Sequence, residues 1–266
     1  MALARRIPSR RKLPGSSIPG RVTESSPLRT LEVPDSATWP RLVTGRHPRA
    51  VGTYGPSVAA WAAQRPSLHT RRIQDLRWWQ NYALDRIFEH DDAGALVWET
   101  VLLSGARQIG KSVLERVGVS WRIHAADHFG TPQDVLHVAH KLVAAQEVWR
   151  PAARWATGVY GKGAVRWANG EQQIELPDGS RWMIQAATDG AGVSFTLSMA
   201  LVDEAWRISR QVVDGAITPT MAEAEQPQTW LVSTAGTSTS DLMLANRALA
   251  LGLDDADADS STLLIE

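Results

Sequence analysis

Residues 102–113, LLSGARQIGKSV, decide how this chain is read. An apolar run halts at Gly105, and Gly110, Lys111 and Ser112 follow at the spacing G-x-x-x-x-G-K-[ST]. Glycines at both ends let the backbone curl until successive N–H groups converge, where they can hold phosphate oxygens. Lys111 adds a positive charge for the β/γ-phosphates, and the Ser112 hydroxyl can ligate Mg²⁺. A helix starting here would aim its N-terminal dipole at the same anion. At average residue frequencies such a match arises by chance in about one chain of this length in a hundred. The candidate nucleotide-binding residues are Gly105, Ala106, Arg107, Gln108, Ile109, Gly110, Lys111 and Ser112.

Outward from the loop, apolar strands and helical patterns alternate. Residues 95–105 read as a strand entering the loop, 111–126 as the helix leaving it, 134–140 as a strand and 141–156 as a helix. Residues 164–187 alternate around Asn169-Gly170 and Asp178-Gly179, which predicts a β-meander. Residues 198–204 and 229–237 read as strands and 240–251 as a helix. Upstream, Ile73, Leu76, Trp79, Ala83 and Ile87 recur at helical spacing, predicting a helix over 72–89 that ends before Gly94. Strands alternating with helices imply a mostly parallel sheet covered on both faces. The expected fold is an α/β P-loop NTPase of the RecA/ASCE type, with a central sheet flanked by helices and a β-meander insertion.

A phosphate loop needs acids opposite it. The run MALVDEA places Asp203 and Glu204 directly after an apolar strand, some ninety residues beyond the loop. In that context Asp203 would hold the shell of a Mg²⁺ ion, and Glu204 would be the general base for the attacking water. The strand in WLVSTAGT ends in small hydroxyl residues, so Ser233 or Thr234 could sense a γ-phosphate. Gln80, in LRWWQ, carries an amide able to pair with an adenine edge, with Trp78 and Trp79 beside it. The ligands expected are ATP and Mg²⁺.

Composition sets the outer bounds. The chain has 266 residues, 44% hydrophobic and 21% charged, which is ordinary for a globular protein with a real core. No apolar run reaches the ~20 residues of a membrane span, and the basic start lacks the apolar stretch of a secretory signal. With no cysteine, disulfides and thiolate metal sites are excluded. A net charge of zero hides an asymmetry: residues 1–90 carry fifteen Lys/Arg against six Asp/Glu, the remainder thirteen against twenty-two. A basic first third suits an anionic partner. We expect a basic, largely irregular arm over 1–66, the ATPase domain over 67–252, and over 253–266 an acidic linker followed by the start of a further domain. The aspartates at 254, 255, 257 and 259 read as a solvated linker, not a metal site. Most of the twelve tryptophans, Trp121, Trp149 and Trp155 among them, are expected to pack in the core. His124 with His128, and His137 with His140, lack the companions of a metal site.

Four stretches in order, LRWWQ (76–80), SGARQIGKS (104–112), LVDEA (201–205) and VSTAG (232–236), resemble the adenine-binding, Walker A, Walker B and coupling motifs of one family. That family is the large terminase subunit of tailed double-stranded DNA phages, through its N-terminal ATPase; the likeness spans about residues 70–251. The arginine at position 107 and residues 169–195 are also similar to it. The resemblance implies a motor that forms a ring, of five subunits by expectation, on the portal of a procapsid. It would drive double-stranded DNA inward with ATP, alongside a small terminase subunit, in the host cytoplasm. It also implies an arginine finger: Arg107 in cis, or Arg181, Arg207 or Arg210 reaching a neighbouring subunit. Family members usually carry a nuclease domain as well, and no nuclease activity is expected of these residues. The alternative is a superfamily 2 helicase-like ATPase, which VDEA and an upstream glutamine also suit, but which needs a second RecA-like domain.

Overall fold

The computed structural model describes residues 34–35, 37–68, 75–168, 170–188, 190–192, 194–252 and 261–266. Before the phosphate loop come β1 (Gly52–Thr53), α1 (Gly55–Ala63), α2 (Trp78–Ile87) and β2 (Glu89–His90). Then follow β3 (Thr100–Ser104), α3 (Lys111–His124), β4 (Asp134–Ala139), α4 (Leu142–Tyr160), β5 (Val165–Arg166), β6 (Gln173–Glu175), β7 (Arg181–Ala186) and β8 (Met199–Asp203). α5 (Arg210–Val212) runs into a π turn over Val213–Ile217, and β9 (Gln228–Ser233), α6 (Asp241–Ala250) and β10 (Thr262–Ile265) complete the order.

Eight strands form one sheet in the order β10-β3-β9-β8-β4-β7-β6-β5. The six from β10 to β7 are parallel, and β6 and β5 extend that edge as an antiparallel meander. The expected α/β P-loop fold is therefore present. β9 lies between β3, which feeds the phosphate loop, and β8, which ends in the acids. Parallel strands are covered on both faces, so each reads as a near-continuous apolar run. Val101 and Leu103 of β3, Met199 and Leu201 of β8, and Trp230 and Val232 of β9 pack with α1–α4 on one face. Leu102, Ala200, Val202 and Leu231 pack with α5, the π turn and α6 on the other.

α3 crosses the sheet at Gly118. A Cβ there would lie 2.8 Å from Cζ3 of Trp230 and closer still to Cη2, so the indole occupies the space of the missing side chain. α4 runs four residues past its expected end and passes through Pro151. Proline lacks the N–H that would bond the carbonyl four residues back. The Arg116 guanidinium compensates, donating to the Glu147 carbonyl at 3.5 Å and the Val148 carbonyl at 2.8 Å.

Several expected boundaries move. α2 begins at Trp78 rather than 72: Arg77 is extended (φ −66°, ψ 156°), so Leu76 precedes the helix, and Ile73 lies outside the described residues. β3 starts at Thr100, and β9 stops at Ser233, after which residues 234–239 are a loop. The first 33 residues of the basic arm, and the acidic stretch 253–260, lie outside the described residues. Within residues 37–66 the chain is ordered onto the domain: Val58 and Trp61 of α1 join the core. Arg86 donates to the carbonyls of Thr44 (3.0 Å) and Gly45 (2.8 Å), fixing this segment to α2. Residues 262–265, read from sequence as the start of a further unit, instead pair with β3 as an edge strand of this sheet. Val43 bridges Ile265 from outside, giving that edge a partner. Among the described residues no helix is long and apolar enough to cross a membrane.

Candidate active site

The phosphate loop springs from the C-terminal end of β3. Ser104 ends the strand, Gln108 turns the chain at φ 61°, and Gly110 at φ 102° caps α3. That left-handed conformation suits glycine, and a Cβ there would meet the Gln80 amide at 3.0 Å. Lys111 opens α3, and its ammonium donates to the carbonyls of Gly105 (2.9 Å) and Ala106 (2.7 Å). Burial lowers its pKa, Glu115 and Asp203 raise it, and Arg107 lowers it again. Ser112 and Arg107 are exposed at the mouth of the loop.

Asp203 is the last residue of β8, and the alternation of Met199 and Leu201 carries it onto the face of α3. Burial, with help from the Glu204 charge, raises its carboxyl to about 6, against the Glu204 N–H and Lys111, which lower it. Its Oδ1 accepts the Glu204 N–H at 2.7 Å. Glu204 itself is left-handed (φ 54°, ψ 39°), a conformation that costs a residue with a Cβ about 1–3 kcal/mol and persists only where the surroundings impose it. The sequence expectation thus brings Lys111, Ser112, Asp203 and Glu204 to one end of the sheet.

Gln80 stands at the loop, but with its amide engaged. Its Nε2 donates to the Gly110 carbonyl (2.8 Å) and its Oε1 accepts the Arg77 N–H (2.7 Å). Arg77 donates in turn to the Ile109 carbonyl at 2.8 Å. LRWWQ therefore braces the back of the phosphate loop, and Arg77, which the sequence reading passed over, shares that work. Trp79 approaches Gly110 on the same side. Trp78 instead forms an edge-on group with Trp39 (5.3 Å), which also meets Tyr82 (5.6 Å).

Ser233 also has partners of its own. Its side chain lies on the α6 face, where Oγ accepts the Trp206 N–H at 3.2 Å, while its carbonyl accepts the Gly105 N–H at 3.1 Å. Thr234 follows the last residue of β9 and is half-buried. Of the arginine candidates, Arg181 is paired with Asp134 where β7 and β4 begin, the opposite end of the sheet from the loop. Arg210 pairs with Asp214. Arg207 is exposed, three residues past Glu204, with its guanidinium 4.4 Å from the centre of the Trp206 ring.

No sequence motif marks Glu115. It lies one helical turn beyond Lys111, fully buried, with no hydrogen-bond partner for either carboxylate oxygen. Burial pushes its carboxyl well above the usual range, Asp203 adds to that, and Lys111 and Arg116 oppose it. Periodicity could not find it, because a glutamate on the helix's buried stripe breaks the apolar pattern.

The same fold is met in known structures. The HK97 bacteriophage large terminase superposes with a TM-score of 0.61 over 80% of this chain, at 17% identity. This chain has the fold of a phage large terminase. It spans 43% of the HK97 terminase chain. Fainter likenesses, at TM-scores of 0.47 and 0.43 and identities of 14% and 16%, are to the large terminase of a thermophilic bacteriophage in complex with ATP-gamma-S and to a Thermus phage P74-26 large terminase ATPase domain mutant. They cover 70% and 54% of this chain and 43% and 63% of those chains. No protein-family model and no curated protein matches the sequence.

Proposed function

We propose that this chain is the ATP-hydrolysing motor domain of a phage DNA-packaging terminase. The observation that carries the reading is the meeting of the phosphate loop with Asp203 and Glu204 across β9, on the fold of the HK97 large terminase. The residues suit Mg·ATP: the loop curls at a left-handed Gly110, and Lys111, Ser112 and the buried Asp203 carboxyl surround one mouth.

In this reading the backbone N–H groups of residues 105–112 and the α3 dipole hold the phosphates. Lys111 exchanges the loop carbonyls for phosphate oxygens. Ser112 and Asp203 would hold Mg²⁺, which supplies charge neutralisation at the phosphates. Glu204 takes a proton from the attacking water. Arg107 offers a guanidinium from within the loop, and Arg207 is the arginine best placed to reach a neighbour's site. Thr234 takes the sensor role, while Ser233 ties loop and acids together. Gln80 acts by holding Gly110, and an adenine edge would compete for the same amide. The partners are double-stranded DNA, the portal, a small terminase subunit and further copies in a ring, by expectation a pentamer, in the host cytoplasm.

The test is ATP turnover against protein concentration, with and without double-stranded DNA. A specific rate that climbs with concentration and with DNA is expected of sites completed between subunits of a translocase. Turnover indifferent to both would remove the packaging reading and leave a self-contained ATPase. Strand separation on a forked duplex would point to the helicase instead.

A further inference from the structure

Ser240 occupies the cap position of α6, where a serine hydroxyl ordinarily accepts an N–H from the first turn. Here it makes no such bond. Its Oγ donates instead to the Trp206 carbonyl at 2.9 Å and accepts the Thr237 N–H at 3.0 Å, and the side chain is buried. The Trp206 N–H is held by Ser233 Oγ. Both polar groups of one peptide residue are thus gripped by hydroxyls from the two ends of the 234–239 loop.

Trp206 lies two residues past Glu204, in the single turn of 3₁₀ helix (Ala205–Arg207) that Glu204 caps. Arg207 N–H returns to the Glu204 carbonyl at 2.9 Å, closing that turn. The same strand end reaches the phosphate loop through the Gly105 N–H and the Ser233 carbonyl. A left-handed glutamate relaxes unless the chain on its far side is fixed. The grip needs close approach: a Cβ on Gly236 would lie 2.8 Å from Ser240 Cβ and 2.9 Å from its Oγ.

We propose that Ser240 is a positioning residue for Glu204: by holding the Trp206 carbonyl it fixes the turn from which the glutamate presents its carboxylate, and it couples α6 to the reacting end of the site. The inference rests on Glu204 being the general base. An N-cap role in helix stability does not account for it, because the hydroxyl is spent on Trp206 rather than on α6.

Two variants approach the contact from opposite sides. Ser240→Ala removes the hydroxyl, and Gly236→Ala keeps it but crowds it away from Trp206. Both should lower kcat by about tenfold or more with KM for ATP within twofold, since the phosphate loop keeps its own bonds. Both should speed hydrogen–deuterium exchange at residues 205–208, a readout independent of turnover. Unchanged exchange there, or kcat within twofold of the parent in both variants, overturns the inference. A parent protein in which Glu204→Gln alters nothing overturns the reading of the site itself; faster exchange in the two variants would still establish the Trp206 grip.

Discussion

Asp203→Asn should stabilise the protein while disabling its site. Burial, reinforced by the Glu204 charge, moves the Asp203 carboxyl from 3.8 to about 6. An acid whose pKa is raised by folding binds its proton more tightly in the native state, so its ionised form is a liability. Stability from this group is intact below the unfolded value and lost as pH rises through about 6. The size of the rise corresponds to about 3 kcal/mol at pH 8. Asparagine keeps an oxygen for the Glu204 N–H and carries no charge. The variant should therefore melt about 6–12 °C higher at pH 8. The gain should fall to about half near pH 5 and vanish below about pH 4. Millimolar Mg·ADP should raise the parent's melting temperature and leave the variant's almost unmoved. Differential scanning calorimetry across pH 4–8 reads all of this. A variant less stable than its parent at pH 8, or a gain that does not shrink with acid, would refute the reasoning.

Gly118→Ala forces a methyl against the Trp230 indole and should cost about 1–3 kcal/mol by chemical denaturation; a neutral result would mean that α3 and β9 are not packed as described. Gln80→Ala removes the brace on Gly110 and should raise KM for ATP and GTP alike. A rise confined to ATP would mean instead that the amide reads the adenine edge. Lys111→Ala should abolish nucleotide binding in a fluorescent-nucleotide titration, because its ammonium is the charge that the loop offers to the phosphates.

The parts of this molecule legible in sequence are those with local signatures. The loop at 105–112 carries its own pattern, and the β8 acids follow an apolar run of strand length. The meander was legible because Asp178-Gly179 makes a turn, with Gly179 at φ 90°. What could not be read depends on pairing across long stretches of chain. Residues 262–265 are a strand in any reading, but nothing local says that β3 receives them. Residues 43–66 look irregular because they show no sustained apolar period, yet Arg86 and the core side of α1 hold them down. Gln80 stands at the loop as its spacing suggests, but its bond to the Gly110 carbonyl could not be read, because that spacing fits a base or a backbone carbonyl equally well. Ser240 resembles an ordinary helix cap until its hydroxyl is followed to Trp206.

The central claim, that Lys111, Asp203 and Glu204 form an ATP-hydrolysing site, is tested most directly by Glu204→Gln. Phosphate release and nucleotide affinity should be measured on the same preparation, with Mg²⁺ and saturating ATP. The account predicts that phosphate release falls at least about a hundredfold while ATP affinity stays within a few-fold of the parent. Equal turnover in parent and variant, or a parent that does not bind ATP, would contradict it.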